Sequence, residues 1–126
     1  MVMTYVDGFV LVIKKGQMEA YKKMASAAGK VWKKHGALKY IEAVGEDMNP
    51  NMGGMKAPTF PKMIKPKKGE KVVFSFITYK SRKHRDQVNA KVMKDPFMAN
   101  SNYKDMPMPF DMKKMAYGGF DSFVSL

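Results

Sequence analysis

The sequence predicts a single α+β domain whose elements follow the order β-α-β-β-α-β. Segments rich in β-branched and aromatic residues alternate with stretches in which apolar residues recur every three or four positions. The chain has 126 residues, of which 45% are hydrophobic and 27% charged. This length and composition suit one globular domain, residues 1–126, with a buried core.

The first strand is predicted over Tyr5–Ile13, and its two faces are both largely apolar. A strand of this kind lies in a sheet that is covered on both sides. After a turn at 14–16, a helix is predicted over 17–35, and Gly36 then ends it as a C-terminal cap. The inner face of this helix carries residues at three- and four-residue spacing: Met18, Tyr21, Ala25, Ala28, Trp32 and His35.

The middle of the chain contributes two strands separated by a long connection. Residues 38–46 alternate in polarity as the second strand, and residues 71–80 form the clearest strand pattern. Between them, residues 47–70 are rich in proline, glycine and lysine, and such a loop is expected to be mobile or functional. Ser81 is expected to cap a second helix over 82–94, which ends at the Asp95-Pro96 step.

The end of the chain completes the predicted sheet. Residues 97–111 are expected to be irregular, and residues 113–124 form the last strand, with Gly118 and Gly119 marking a bulge or a close approach. The full order is that of the ferredoxin-like fold, in which one sheet face carries both helices. The other face has nothing in this chain to cover it, so we expect a homodimer joined sheet to sheet.

Five segments of the chain resemble the DUF1428 family of bacterial proteins of unknown function, also called the YbaA-like family. They are YVDGFV (5–10), AGKVWKKHGA (28–37), TFPK (59–62), VVFSFITYKSRKHRDQVNAKVMKDP (72–96) and MPFDMKKMAYGGF (108–120). The resemblance covers nearly the whole chain and departs from the family around residues 48–57. It implies the dimeric α+β barrel superfamily, in which two ferredoxin-like sheets close face to face.

The same resemblance narrows the chemistry to be considered. The superfamily contains small monooxygenases acting on quinone-like aromatic compounds, haem-degrading enzymes, isomerases and dehydratases, and fold alone does not transfer any of these activities. Haem-degrading members use Asn, Trp and His at positions that correspond here to Phe9, Lys91 and Ser101, so haem degradation is disfavoured. A cofactor-independent monooxygenase- or isomerase-like enzyme remains one interpretation, and a binding protein remains the other.

Charge and composition bear on partners and location. The formal net charge is +12, but the lysines are dispersed along the chain, which favours a solvated surface and at most weak, non-specific nucleic-acid binding. Cysteine is absent, and two histidines without a carboxylate cluster make a metal site a weak hypothesis. We find no dinucleotide or phosphate-loop fingerprint, signal sequence or membrane-spanning run, so no cofactor, no membrane partner and a cytoplasmic location are expected.

Asp7 is the most unusual residue of the predicted core, since it interrupts an apolar strand face and a buried carboxylate needs a partner. A nine-residue strand spans about 30 Å, as does a helix of about twenty residues, so the helix end should return beside the strand's start. This predicts an Asp7–His35 pair as a catalytic acid–base unit. Tyr5, Trp32 and His84 are predicted to line the adjoining cleft as ligand-binding residues. The alternative is a purely structural pair at a helix end.

Two functional interpretations remain open. The first is a protein that binds or transforms a small aromatic or planar metabolite in a groove between sheet and helices. The second is a nucleic-acid-associated or interaction module that uses the basic surface. Added salt distinguishes them, because affinity for nucleic acid through phosphate contacts falls steeply with ionic strength.

Overall fold

A computed structural model describes residues 3–99 and 108–126 of the chain. Four strands form one antiparallel sheet, and the regular elements are β1 (Tyr5–Ile13), α1 (Met18–Lys34), β2 (Lys39–Val44), α2 (Phe60–Ile64), β3 (Lys71–Tyr79), α3 (Arg82–Lys94), α4 (Pro96–Ala99) and β4 (Ala116–Asp121). The strand order across the sheet is β2-β3-β1-β4. This confirms the predicted α+β, ferredoxin-like βαββαβ fold class.

The register of β1 decides which side chains face the helices. β1 pairs along its whole length with β3, Tyr5 opposite Tyr79 and Ile13 opposite Lys71, and its first six residues also pair with β4. Because side chains alternate along a strand, the odd-numbered residues of β1 share one face. That face packs against α1 and α3 in two apolar clusters, of which the buried members include Tyr5, Leu11, Ile13, Tyr21, Ile77 and Val88.

The caps that end the two long helices match the sequence prediction. The Ser81 hydroxyl accepts a hydrogen bond from the His84 backbone N–H at 3.0 Å, which satisfies one of the free donors at the start of α3. Gly36 follows α1 with a φ of +115°, a conformation that favours glycine over other residues. Asp95 leaves the helical region directly after α3, as expected for a residue that precedes proline.

Three segments differ from the prediction. Residues 97–99, which were expected to be irregular, belong to the short helix α4. The 47–70 connection contains the short helix α2, because Pro61 in its first turn presets a helical φ and Lys65, at φ 52°, ends it. The last strand is shorter than residues 113–124. The Asp111 carboxylate accepts from the Lys113 N–H and holds 112–114 in a 3-10 turn.

The glycine pair in β4 marks a close approach and not a bulge. Gly118 and Gly119 pair regularly with Gly8 and Asp7 of β1. A Cβ atom at Gly119 would overlap the Tyr5 hydroxyl, so only glycine fits there. Part of the 97–111 segment, including Ser101, lies outside the described residues.

The sheet face opposite the helices is open and apolar. It carries the even-numbered residues of β1 and their neighbours, with Phe74 and Phe120 45% and 61% exposed. Phe60 of α2 packs on Phe74 at a ring-centroid distance of 6.3 Å. None of the helices in the described part of the chain combines the length and apolar character needed to cross a membrane.

Candidate functional site

Asp7 is buried as predicted, but its partner is Arg85 of α3. The Arg85 Nη1 atom donates to the Asp7 Oδ1 atom at 2.7 Å, and the guanidinium lies 5.0 Å from the centroid of the Tyr5 ring. Burial raises the pKa of the Asp7 carboxyl above its ordinary value, and the opposing influence of Arg85 does not fully cancel this effect. The arrangement is a buried ion pair that ties the start of β1 to the first turns of α3.

His35 binds a different carboxylate. Its Nε2 atom lies 2.8 Å from Oδ2 of Asp95, the residue that ends α3, and Lys34 Nζ donates to the same oxygen at 3.1 Å. The Phe97 backbone N–H donates to the other oxygen at 2.9 Å, and these contacts hold the pKa of Asp95 low, at about 2. Asp7 and His35 therefore form no direct hydrogen bond with each other, because Asp7 pairs with Arg85 and His35 with Asp95. The end of α1 does return beside β1, but α3 places Arg85 at Asp7 and Asp95 at His35.

The other predicted site residues are also held by structural contacts. Trp32 Nε1 donates to the Asn89 Oδ1 atom at 3.1 Å, and the Trp32 ring packs on that of Tyr40. His84 Nδ1 accepts from the Lys80 backbone N–H at 3.0 Å, which leaves the ring proton on Nε2 in the neutral form. Tyr5, Asp7, Trp32, His35 and His84 all surround the same end of the sheet, yet none of them lines either of the two concave sites described next.

The larger concave site lies between α1 and the edge strand β2, and we call it the α1–β2 cavity. Its volume is about 720 Å³. It is lined by Met18, Tyr21, Lys22, Ala25, Ser26, Gly29, Lys30, Lys33, Tyr40, Glu42, Ala43, Val44 and Val73. Apolar walls from both elements therefore enclose a small number of polar groups, the composition typical of a ligand pocket.

A single carboxylate with two phenol donors forms the polar centre of this cavity. The Tyr21 hydroxyl donates to Glu42 Oε1 at 2.6 Å, and the Tyr40 hydroxyl donates to Oε2 at 2.8 Å. Burial and the adjoining Glu42 carboxylate raise the pKa of both phenols well above the ordinary tyrosine value. Both hydroxyls therefore stay protonated, and they fix the orientation of the carboxylate inside the cavity.

Gly29 explains why Tyr40 fits against α1. A Cβ atom at this position would lie 2.7 Å from the Tyr40 ring, closer than real Cβ contacts come. The missing side chain lets the edge strand approach the helix and leaves the Tyr40 ring as a flat wall. Sequence reasoning missed this site, although the signal was present: Tyr40 and Glu42 share the inner face of β2, and Tyr21 lies on the inner face of α1.

The second concave site lies on the open face of the sheet. It has a volume of about 660 Å³ and is lined by Val6, Gly8, Phe9, Val10, Phe74, Phe76, Thr78, Ala116, Tyr117, Gly118 and Phe120. Its lining contains no charged side chain, so it offers little to orient a polar ligand. Within residues 3–99 and 108–126, no group of three or more histidine, aspartate or glutamate side chains is arranged to hold a metal ion.

Comparison with known proteins places the chain in a family. The profile of a protein family of unknown function, DUF1428, matches residues 4–112. The uncharacterized protein YbaA of Escherichia coli K12 is 39% identical over 122 residues, covering 97% of this chain and 98% of that protein, and YbaA of Shigella flexneri matches equally. A nipsnap family protein with unknown function from Agrobacterium tumefaciens has the same fold, with a TM-score of 0.55 at 16% identity over 94% of this chain and 87% of that one. The chain is a member of the DUF1428 family.

Proposed function

We propose that the protein binds or transforms a small aromatic or planar molecule in the α1–β2 cavity. The observation that carries this proposal is the Glu42 carboxylate, held by Tyr21 and Tyr40 inside a mostly apolar cavity of about 720 Å³. Ligand pockets in proteins occupy about 300–1,000 Å³ and combine apolar walls with a few oriented polar groups. Like the predicted groove, this cavity lies between a helix and the sheet, but it extends along α1 from Met18 to Lys33 and includes none of the residues predicted to form the site.

The chemistry available in this cavity suits a ligand with a hydrogen-bond donor. Each oxygen of Glu42 accepts one phenol hydrogen bond and keeps capacity for a second donor from a ligand. In a cofactor-independent enzyme of the isomerase or monooxygenase kind, Glu42 is the group that would accept or return a proton. In a binding protein, the same carboxylate would orient the ligand.

The basic surface supports the alternative interpretation less well. Only two arginines, Arg82 and Arg85, accompany the lysines, and Arg85 is engaged by Asp7 and Asp86. Arginine is the residue best suited to bidentate recognition of bases and phosphates, whereas lysine acts as a point charge. Nucleic-acid binding by this surface is therefore expected to be weak, non-specific and lost on addition of salt.

A variant that fills the cavity tests the proposal. Ser26 is exposed on α1 and lines the cavity, so Ser26→Trp should occupy it without disturbing the core. Ala20 is equally exposed on the same helix but does not line the cavity, so Ala20→Trp is the matched control. Wild type and both variants are screened by thermal shift against a panel of aromatic and planar compounds.

We expect compounds that raise the melting temperature of wild type and of Ala20→Trp but leave Ser26→Trp unchanged. Ligand stabilisation follows mass action, so a bound compound at 100 times its Kd adds about 2.7 kcal/mol and is readily detected. Equal stabilisation of all three proteins would place the binding elsewhere and contradict the proposal. The same conclusion would follow if DNA or RNA stabilised the protein in a salt-resistant manner and no small molecule did.

A further inference from the structure

Three lysines of α1 line the α1–β2 cavity on one side. Lys22, Lys30 and Lys33 are separated by eight and three residues, and the periodicity of an α-helix places them on one face. All three are exposed, so their ammonium groups meet solvent at the mouth of the cavity while the apolar walls lie deeper.

The positive charge of this row is not balanced inside the cavity. Glu42 is the single acidic residue of the lining, and both of its oxygens already accept phenol hydrogen bonds. Lys33 Nζ donates to a neutral acceptor, the Leu38 carbonyl, at 2.6 Å. Within the described residues, neither Lys30 nor Lys33 has a carboxylate within salt-bridge distance, whereas Lys22 meets Glu19 at 3.3 Å on the surface.

From this charge distribution we infer that the ligand of the α1–β2 cavity is a planar organic carboxylate. The inference rests on the proposed function and names the ligand class that it leaves open. The planar body lies against the part of the Tyr40 ring that lines the cavity, since another edge of that ring already fills the space beside Gly29. The carboxylate lies at the mouth of the cavity beside Lys30 and Lys33, away from Glu42.

The expected contribution of each lysine is modest because the mouth is solvent-exposed. Two unit charges about 4 Å apart in water attract enough to change affinity about fivefold. Loss of both lysines should thus weaken carboxylate binding about 10- to 25-fold. Raising the ionic strength from about 0.05 to 0.5 M should weaken it in the same direction, because salt screens exposed charges.

The test compares matched carboxylates and carboxamides by isothermal titration calorimetry. The probes are benzoate, 2-naphthoate and indole-3-carboxylate, each with its uncharged amide. They are titrated into wild type, into Lys30→Gln/Lys33→Gln, and into the control Lys14→Gln/Lys23→Gln. The control removes the same charge from exposed positions that do not line the cavity. Glutamine retains a donor for the Leu38 carbonyl, so the cavity variant should fold normally.

We expect wild type and the control to prefer at least one carboxylate over its amide by fivefold or more, and the cavity variant to lose that preference. Equal affinity for acid and amide, abolished by Ser26→Trp, would overturn the charge inference and leave the proposed function standing. A preference that survives in the cavity variant but falls in the control would also overturn it. Absence of binding by every probe would overturn both.

Discussion

Arg85→Met is the substitution whose effect on stability the structure defines most closely. Methionine keeps an apolar stem of similar length over Tyr5 but leaves the Asp7 carboxylate, which is 7% exposed, without its cation. Breaking a buried ion pair from one side costs about 3–5 kcal/mol. Because the Arg85 side chain is 19% exposed and water can reach the pair, we expect the lower end, about 3 kcal/mol at pH 7.

The pH dependence of that loss identifies its cause. The pKa of Asp7 is already raised in the folded protein, so the folded state holds this proton more tightly than the unfolded chain. Ionisation of Asp7 therefore destabilises the fold as the pH rises above 3.8, the ordinary pKa of this carboxyl, which we take for the unfolded chain. Removal of Arg85 strengthens this effect. The deficit of Arg85→Met should consequently shrink when the pH is lowered from 7 to about 4.

Urea denaturation at both pH values measures the effect. Arg82→Met is the control, since Arg82 is exposed at the start of the same helix and its replacement should change stability by less than about 0.5 kcal/mol. The double variant Asp7→Asn/Arg85→Met removes the unpaired charge and should recover much of the loss. A deficit below about 1 kcal/mol, or one that is independent of pH, would refute the assignment of a buried, energetically significant pair.

Three further predictions concern other parts of the fold. The low pKa of Asp95 stabilises the protein above about pH 4, and this contribution is lost as pH falls toward 2. The urea midpoint of Asp95→Asn should therefore fall less steeply than that of wild type between about pH 4 and 2, and an equally steep fall would contradict this. Gly29→Ala gains about 1 kcal/mol of helix propensity but overpacks Tyr40 at about 1–3 kcal/mol, so calorimetry should show a net loss, and a raised melting temperature would contradict the close approach. The open sheet face, with Phe74 and Phe120 45% and 61% exposed, is expected to pair with a second copy; sedimentation should give a dimer at micromolar concentration that Phe120→Lys dissociates, and a wild-type monomer would refute this.

The fold followed from the sequence because local patterns agreed with one another along the chain. The β-branched residues of β1 and β3, the Ser81 cap and the Gly36 stop each have a short-range cause, and each lies within a residue or two of its predicted place. The short helix α2 was missed because its apolar pattern is too brief to distinguish it from a loop.

The site was harder to predict because it depends on pairings between distant residues. The sequence indicated that Asp7 needed a partner, but Arg85 is 78 residues away and two helices converge on this end of the sheet. Helix length alone could not decide which of them supplies that partner. The Tyr21, Glu42 and Tyr40 cluster likewise requires the spacing between α1 and the edge strand, which Gly29 sets and which no local pattern reports.

Fragment soaking of crystals tests the central claim, that the α1–β2 cavity is a ligand site, most directly. Planar aromatic fragments, including carboxylates and their amides, are diffused into crystals and located by difference density. We predict fragments within the cavity, in contact with the Tyr40 ring and with a polar atom at Glu42 or beside Lys30. Fragments found only on the open sheet face, or a cavity that stays empty throughout the series, would contradict it.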